Sequence, residues 1–493
     1  MTRTTSRALA GRREWIGLAV LALPALLASL ELTVTNLALP AIGADLRASS
    51  TQLLWIVDVY AFLLSGSLIT MGAWGDRIGR RRLLLIGAAA YGVASVLAAY
   101  APDAWSLIAA RALMGVTGAT LMPSTLSLVT SMFTDSRQRA VAVGVIVAAV
   151  SAGTAIGPLA GGWLLERFWW GSAFLAAVPV MAVLVIVGPL LLPEHRDPGG
   201  GRLDVVSSLL SLAAVLPVIY GLKQVAAGGP APYAAVAVLA GALAAWLFVR
   251  RQLRLPDPFI DVRLFRDRTF GAASATLALG IFVLWGSNYA LAQYLQLVHG
   301  LSPLQAGLWT APSAVGVIVG STLAPRIVRV VRPATVIGAG LAVSAAGFAV
   351  LTQTGGGLGV LVTGAVVVSA GLGPMMALAT DLVIGAAPAE RAGAAAAIAS
   401  TAPQLGGAIG IAIIGSVVTA VYRAALPPGE VPEQARESLH AAVGTADPAV
   451  VAAARAAFVD GFHLASAINA LLMAAIALLV AALLRPPGAR PLR

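Results

Sequence analysis

Three ionisable side chains, Glu31, Asp58 and Arg111, stand inside long apolar runs of this 493-residue chain. A charge deep in hydrocarbon is costly unless it is paired or hydrated, so position alone makes each a functional candidate. Two carboxylates and one guanidinium leave one negative charge unmatched, and either acid can be the one left to take a proton or a cation. Burial opposes ionisation of a carboxylate and a nearby guanidinium favours it, so such a set suits reversible proton exchange. A carboxylate that trades its proton for a cationic ligand couples the two movements. The competing use is a purely structural clamp between the arginine and one acid.

The three groups share a layer. At about 1.5 Å per residue, Glu31 lies roughly 12 Å below the outer end of its span, Asp58 about 8 Å and Arg111 about 9 Å below theirs. Tyr60 and Phe62 offer ring faces to a cation near Asp58. Met114 follows Arg111 with an adaptable thioether, although helix packing accounts for it equally well. In the second half of the chain the spans offer polar groups, Gln296 and, as candidate contacts, Asn288, Gln293 and Gln404. With Glu31, Asp58, Tyr60, Phe62 and Met114 the last three make up the candidate substrate contacts. Asp381, near the end of a span, reads as a boundary residue.

The elements that must position these groups follow from composition. Apolar residues make up 59% of the chain and charged ones 11%, more apolar surface than a soluble domain of this length can hide. Backbone groups in hydrocarbon must be satisfied within the segment, so the spans are helices and the fold class is an all-α membrane protein. Fourteen spans are expected, at 16–39, 53–73, 83–101, 105–129, 140–162, 172–192, 204–222, 232–250, 270–292, 304–325, 334–352, 358–384, 395–420 and 461–484. With both termini on one side, 25 basic residues collect there and 6 on the other. That bias makes both termini cytoplasmic and explains the formal charge of +11 without nucleic acid. The partners are a lipid bilayer and a small amphipathic molecule.

The spans divide as six, two and six. Residues 1–192 form one bundle, 193–268 hold an inserted pair and a charged connector, and 269–493 form the second bundle with a long outer loop at 421–460. The loop contains Pro427 and Pro428 and a helix-prone stretch near 446–458, and it fits either a solvated segment or a cap. There is no cysteine, which excludes disulfides and thiolate metal sites. His195, His299, His440 and His463 show no metal-ligand spacing, no nucleophile has a base beside it, and no phosphate-binding GxxxxGK[ST] loop is present. Neither an enzyme nor a bound cofactor is expected.

Two motifs carry mechanism. Between the second and third spans runs Gly72-Ala73-Trp74-Gly75-Asp76-Arg77-Ile78-Gly79-Arg80-Arg81-Arg82. Its glycines permit a tight turn, and its acid and arginines can form charge-assisted contacts that break when helices move. Within the fifth span, Gly153, Gly157 and Gly161 recur every fourth residue and make one bare helix face. Pro158 removes a donor from the same helix and bends it.

The first string resembles the signature loop of the major facilitator superfamily, and the second resembles the motif carried by that superfamily's exporters. With Leu30-Glu31-Leu32-Thr33 and Trp55-Ile56-Val57-Asp58, the chain resembles the fourteen-span drug:proton antiporters, exporters of quaternary-ammonium compounds and dyes. The resemblance implies two six-helix bundles and two inserted helices. It also implies a cytoplasmic latch at Gly72, Asp76, Arg77, Gly79 and Arg80, and proton coupling at residues matching Asp58 and Arg111. Glu31 stands where the family usually has Asp. Val317 and Ala399-Ser400-Thr401 stand where several relatives carry further acids, which disfavours a divalent substrate. The expected protein is a monomeric, proton-coupled exporter of monocationic drugs or dyes in a bacterial cytoplasmic membrane. The alternative is a dedicated exporter of one endogenous metabolite or antibiotic.

Overall fold

The computed structural model describes residues 10–483 apart from 195, 197–203, 227, 256, 257, 259, 389, 390, 427, 428, 430 and 446. The chain forms two compact units, one of residues 1–212 with 301–307 and one of residues 213–300 with 308–493. Among the described residues, thirteen helical segments are long and apolar enough to cross a membrane. The remaining expected span, 140–162, lies on a helix of 32 residues. That length rises about 48 Å, ample for a hydrocarbon core of about 30 Å.

The first unit opens with α1 (Arg12–Asp45), α2 (Ser50–Ile78) and α3 (Arg80–Ala99). Ser49 starts α2 by accepting from the Gln52 amide while the Gln52 side chain accepts from the Ser49 amide, so two donors at the helix start are served reciprocally. The fourth expected span is two helices, α4 (Ala104–Gly118) and α5 (Leu121–Met132). Pro123 sits in the first turn of α5, where its missing donor costs nothing, and the Thr120 hydroxyl donates back to the Thr117 carbonyl at 2.7 Å. Next come α6 (Ser136–Arg167), the single turn α7 (Ser172–Leu175) and α8 (Ala177–Leu191), so the sixth expected span is likewise broken near its N-terminal end. Helix α1 packs on α6, α2 on α4, and α3 on both α4 and α8.

The two inserted spans are α9 (Val205–Ala226) and α10 (Ala231–Arg254). Gly221 and Gly241 let them approach closely, because a Cβ at either would meet the opposite helix's backbone at 2.8–2.9 Å. In the connector that follows, a 3-10 turn at Val262–Arg266 is capped by Asp261, which also pairs with Arg391 at 2.8 Å.

The second unit continues with α11 (Arg268–Gln293), α12 (Pro303–Ile327), α13 (Pro333–Leu351), α14 (Leu358–Gly385) and α15 (Ala392–Ala425). The outer loop is folded. It contains α16 (Glu433–Glu437) and α17 (Leu439–Val443), and the helix-prone stretch turns out to be the N-terminal extension of the last span, α18 (Pro448–Leu483). Pro427 and Pro428 lie outside the described residues. Arg436 Nε donates to the Leu426 carbonyl at 2.6 Å, and α17 packs on α18 and on the π-turn at Tyr294–Val298. These contacts favour a cap seated on its own unit over a solvated loop.

His440 of α17 is 6% exposed, and burial pushes its pKa down to about 4. The neutral ring is therefore the folded form. Its contribution to the cap is complete above the ordinary value near 6.5 and declines as pH falls from there towards 4. A spin label on a cysteine introduced at Val443 is expected to gain mobility between pH 7 and pH 5. In the His440→Leu background that gain should disappear, and an unchanged pH response there would refute the assignment.

Candidate functional site

The first unit brings Glu31, Arg111 and Tyr60 into contact. Arg111 lies in the second turn of α4 and has no exposed surface; Glu31, midway along α1, is 3% exposed. A buried ion pair persists only when its remaining polar atoms are served as well. Here Arg111 Nη1 donates to Glu31 Oε1, and Arg111 Nε donates to the Ile56 carbonyl at 3.0 Å. The guanidinium carbon sits 4.2 Å from the centre of the Tyr60 ring and 5.5 Å from that of Phe174, within range for cation–π attraction. The second Glu31 oxygen accepts from the Tyr91 hydroxyl.

Asp58 is wholly buried on α2, two residues after the carbonyl that Arg111 grips and two before the ring beneath it. Phe62 lies one helical turn beyond Asp58, and Met114 nearly one turn beyond Arg111. Both are buried, at 2% and 0% exposure, as are Asp58 and Tyr60 beside them.

Tyr91 is the participant that sequence reasoning missed. Its signal is a phenol in the middle of a span, between Ala90 and Gly92, where a hydroxyl needs a protein partner. Tyr91→Phe removes the donor and leaves Glu31 Oε2 short of a hydrogen bond. The expected cost is about 1.5 kcal/mol of stability, the scale of a bond to a charged group. Thermal unfolding of the purified protein checks it.

The glycine face of α6 meets the segment of α1 that brackets Glu31. A Cβ on Gly153 would strike the Leu26 carbonyl, one on Gly157 would lie 3.1 Å from Thr33, and one on Gly161 would lie 2.6 Å from Val34. The bare face thus seats the helix that carries the acid. Pro158 is buried on the same helix.

At the other end of α2, Gly79 turns the chain with φ 110°, a backbone that L side chains rarely adopt. Arg80 Nε donates to Asp76 at 2.8 Å across this turn. The Glu194 carboxylate lies so near Gly79 that a Cβ there would come 2.6 Å from its carbon, and it accepts from the Arg81 amide at 3.1 Å. Arg81 Nη1 also donates to the Leu192 carbonyl at 3.0 Å. Glu194 was not foreseen, because only folding brings the end of α8 back to this turn. Gly72 is half-buried and Arg77 is exposed.

The candidate contacts of the second unit do not converge. Asn288 lines a small cavity with Ser287 and Asn469, whereas Gln293 closes α11 and Gln404 lies on α15, and neither lines that cavity. Gln404 is half-buried, and Asp381 is exposed near the end of α14. Among the described residues, no group of three or more His, Cys, Asp or Glu side chains could hold a metal.

Long apolar helices in two units, with a paired carboxylate and guanidinium inside one of them, define a polytopic transporter. The family profile described as Major Facilitator Superfamily matches residues 21–411, and the chain belongs to that superfamily. Its relatives fit the superfamily's drug:proton antiporter family. The chain is 43% identical to the multidrug efflux pump LfrA of Mycolicibacterium smegmatis over 97% of each chain. It is 35% identical to the methyl viologen resistance protein SmvA of Salmonella typhimurium, over 86% of this chain and 87% of that one. Its fold is that of a crystal structure of a bacterial homologue of the human lysosomal transporter Spinster, with a TM-score of 0.69 at 17% identity, covering 97% of this chain and 100% of that one. The protein is a multi-pass membrane transporter of small molecules and not an enzyme.

Proposed function

We propose that the protein is a monomeric, proton-driven exporter of amphipathic monocations, set in a bacterial cytoplasmic membrane with both termini inside. The observation that carries this reading is the division of labour between the two acids. Glu31 is engaged by Arg111 and Tyr91, and Asp58 is wholly buried on α2, two residues from the Ile56 carbonyl that Arg111 also holds. Asp58 is then the acid that loads and releases the proton, and Glu31 with Arg111 holds the field it works in. A cation bound by ionised Asp58 and a proton bound by the same group exclude one another, which gives antiport when access alternates. The Asp76–Arg80 and Arg81–Glu194 contacts serve as the cytoplasmic latch that such a cycle must break and remake.

The relatives' names, a multidrug efflux pump and a methyl viologen resistance protein, support export of toxic small molecules. The side chains favour a single positive charge, because two buried carboxylates share one buried guanidinium. The test is a proteoliposome assay in which an imposed pH gradient drives a lipophilic monocationic dye. Movement that ignores the gradient, or that serves a neutral analogue equally well, would count against the proposal.

A further inference from the structure

The turn that joins α12 to α13 in the second unit reads Arg326-Ile327-Val328-Arg329-Val330-Val331-Arg332. In the turn between α2 and α3 the arginines are used internally, Arg80 by Asp76 and Arg81 by Glu194. The α12–α13 turn offers no such partner. No acidic residue occurs between Asp267 and Asp381. Among the described residues, none of its three arginines joins an ion pair, and all three are exposed. Apolar side chains stand among these charges: Val330 is 91% exposed, Ile327 43% and Val331 38%. The chain leaves α12 in i→i+3 turns, the Arg329 amide donating to the Arg326 carbonyl at 3.3 Å and the Val330 amide to the Ile327 carbonyl at 3.0 Å. Residues three apart then lie on one side. Arg326 and Arg329 therefore share one side of the turn, and Ile327 and Val330 share the next.

Unmatched guanidinium groups attract an anion, and exposed aliphatic groups at the end of a membrane helix favour hydrocarbon. The boundary between headgroups and acyl chains supplies the two side by side. A soluble anion would satisfy the arginines and leave the valines in water. A zwitterionic lipid carries its own ammonium, which competes with the arginines for its phosphate. A guanidinium, by contrast, meets phosphate oxygens through parallel N–H donors. We infer that the α12–α13 turn is a binding site for an anionic phospholipid. Arg326 and Arg329 hold its phosphate, Arg332 adds a third positive charge, and Ile327 and Val330 enter the acyl boundary. The site contains none of the residues assigned to transport. A lipid held here fixes the turn at the headgroup layer and makes the second unit responsive to the anionic-lipid content of the bilayer.

The chain has no cysteine, so Val330→Cys gives a unique attachment point for a bimane fluorophore in the full-length protein. The labelled protein is placed in phosphatidylcholine nanodiscs that contain a small fraction of nitroxide-bearing lipid, either phosphatidylglycerol or phosphatidylcholine. With the nitroxide near the top of the acyl chain, the phosphatidylglycerol is expected to quench at about tenfold lower content. Arg329→Gln should lower that preference about fivefold, the effect of one arginine at an anionic lipid surface. Glutamine at all three positions 326, 329 and 332 should remove it. Arg250→Gln with Arg254→Gln, an equivalent loss of exposed charge at the end of α10, should leave the preference in place. Equal quenching by the two lipids, no quenching by either, or an equal loss in the Arg250 and Arg254 control would overturn the proposal. So would displacement of the lipid by glycerol 1-phosphate, the headgroup without its chains, which is the result for a soluble-anion site. Nanodiscs expose both faces and carry no gradient, so the outcome is read independently of membrane orientation and of proton-driven export.

Discussion

Asp58→Asn is expected to abolish movement of a cationic dye driven by a pH gradient while leaving the protein folded. The substitution keeps the shape of the side chain and removes the one property export requires, a charge that can be gained and lost. Asp58 has no exposed surface on α2, so the substitution is made inside the packed unit. A positioned proton-exchanging group contributes on the order of a hundredfold or more to the process it serves, and a loss of that size is expected in the proteoliposome rate. Exchange of dye across the membrane without a gradient isolates the carrier from its driving force. Retained coupling in the Asp58→Asn protein would transfer the proton to Glu31 or remove both acids from the mechanism.

The largest structural effect is expected from Glu31→Gln. Arg111 has no exposed surface and donates to Glu31, to the Ile56 carbonyl and onto the Tyr60 ring. Without the carboxylate, a guanidinium remains in a low-dielectric interior with no counter-charge on that side. Breaking a buried pair in this way costs about 3–5 kcal/mol. Removing both charges with Glu31→Gln and Arg111→Met should recover much of that loss, because the penalty lies in the orphaned charge rather than in the missing attraction. Thermal unfolding of the two single variants and the double variant gives the coupling energy directly. Additive losses would show that the pair is not energetically linked. Transport should not return in the double variant, since the field around Asp58 is then gone.

The candidate site was legible to different depths for physical reasons. Glu31, Asp58 and Arg111 declared themselves because ionisable groups in apolar runs are expensive and therefore rare. Their shared depth also followed from helical rise. Which acid the arginine grips did not follow, since three helices at one depth can be rotated to pair either one. Tyr91 was invisible for the same reason: its hydroxyl acquires meaning only when α3 is placed against α1. The glycines of α6 announced a packing face but not the face opposite, the stretch of α1 around Glu31. Gly79 announced a tight turn but not the Glu194 carboxylate folded against it.

The outer loop shows the same boundary. Its helix-prone stretch could be recognised locally, yet its continuity with α18 depended on a partner surface along which the helix keeps packing. The breaks between α4 and α5 and between α7 and α8 were missed because hydropathy averages over a span and does not register a lost backbone bond. Residues along the chain alone decided that this protein lives in a bilayer, is helical throughout its spans, and buries two acids and one arginine within them. Those properties depend on transfer free energies that each segment meets by itself. Which groups touch and which helix seats the acid were decided only by the tertiary structure. Contacts between helices depend on the rotation and approach of whole elements, and no single segment contains that information.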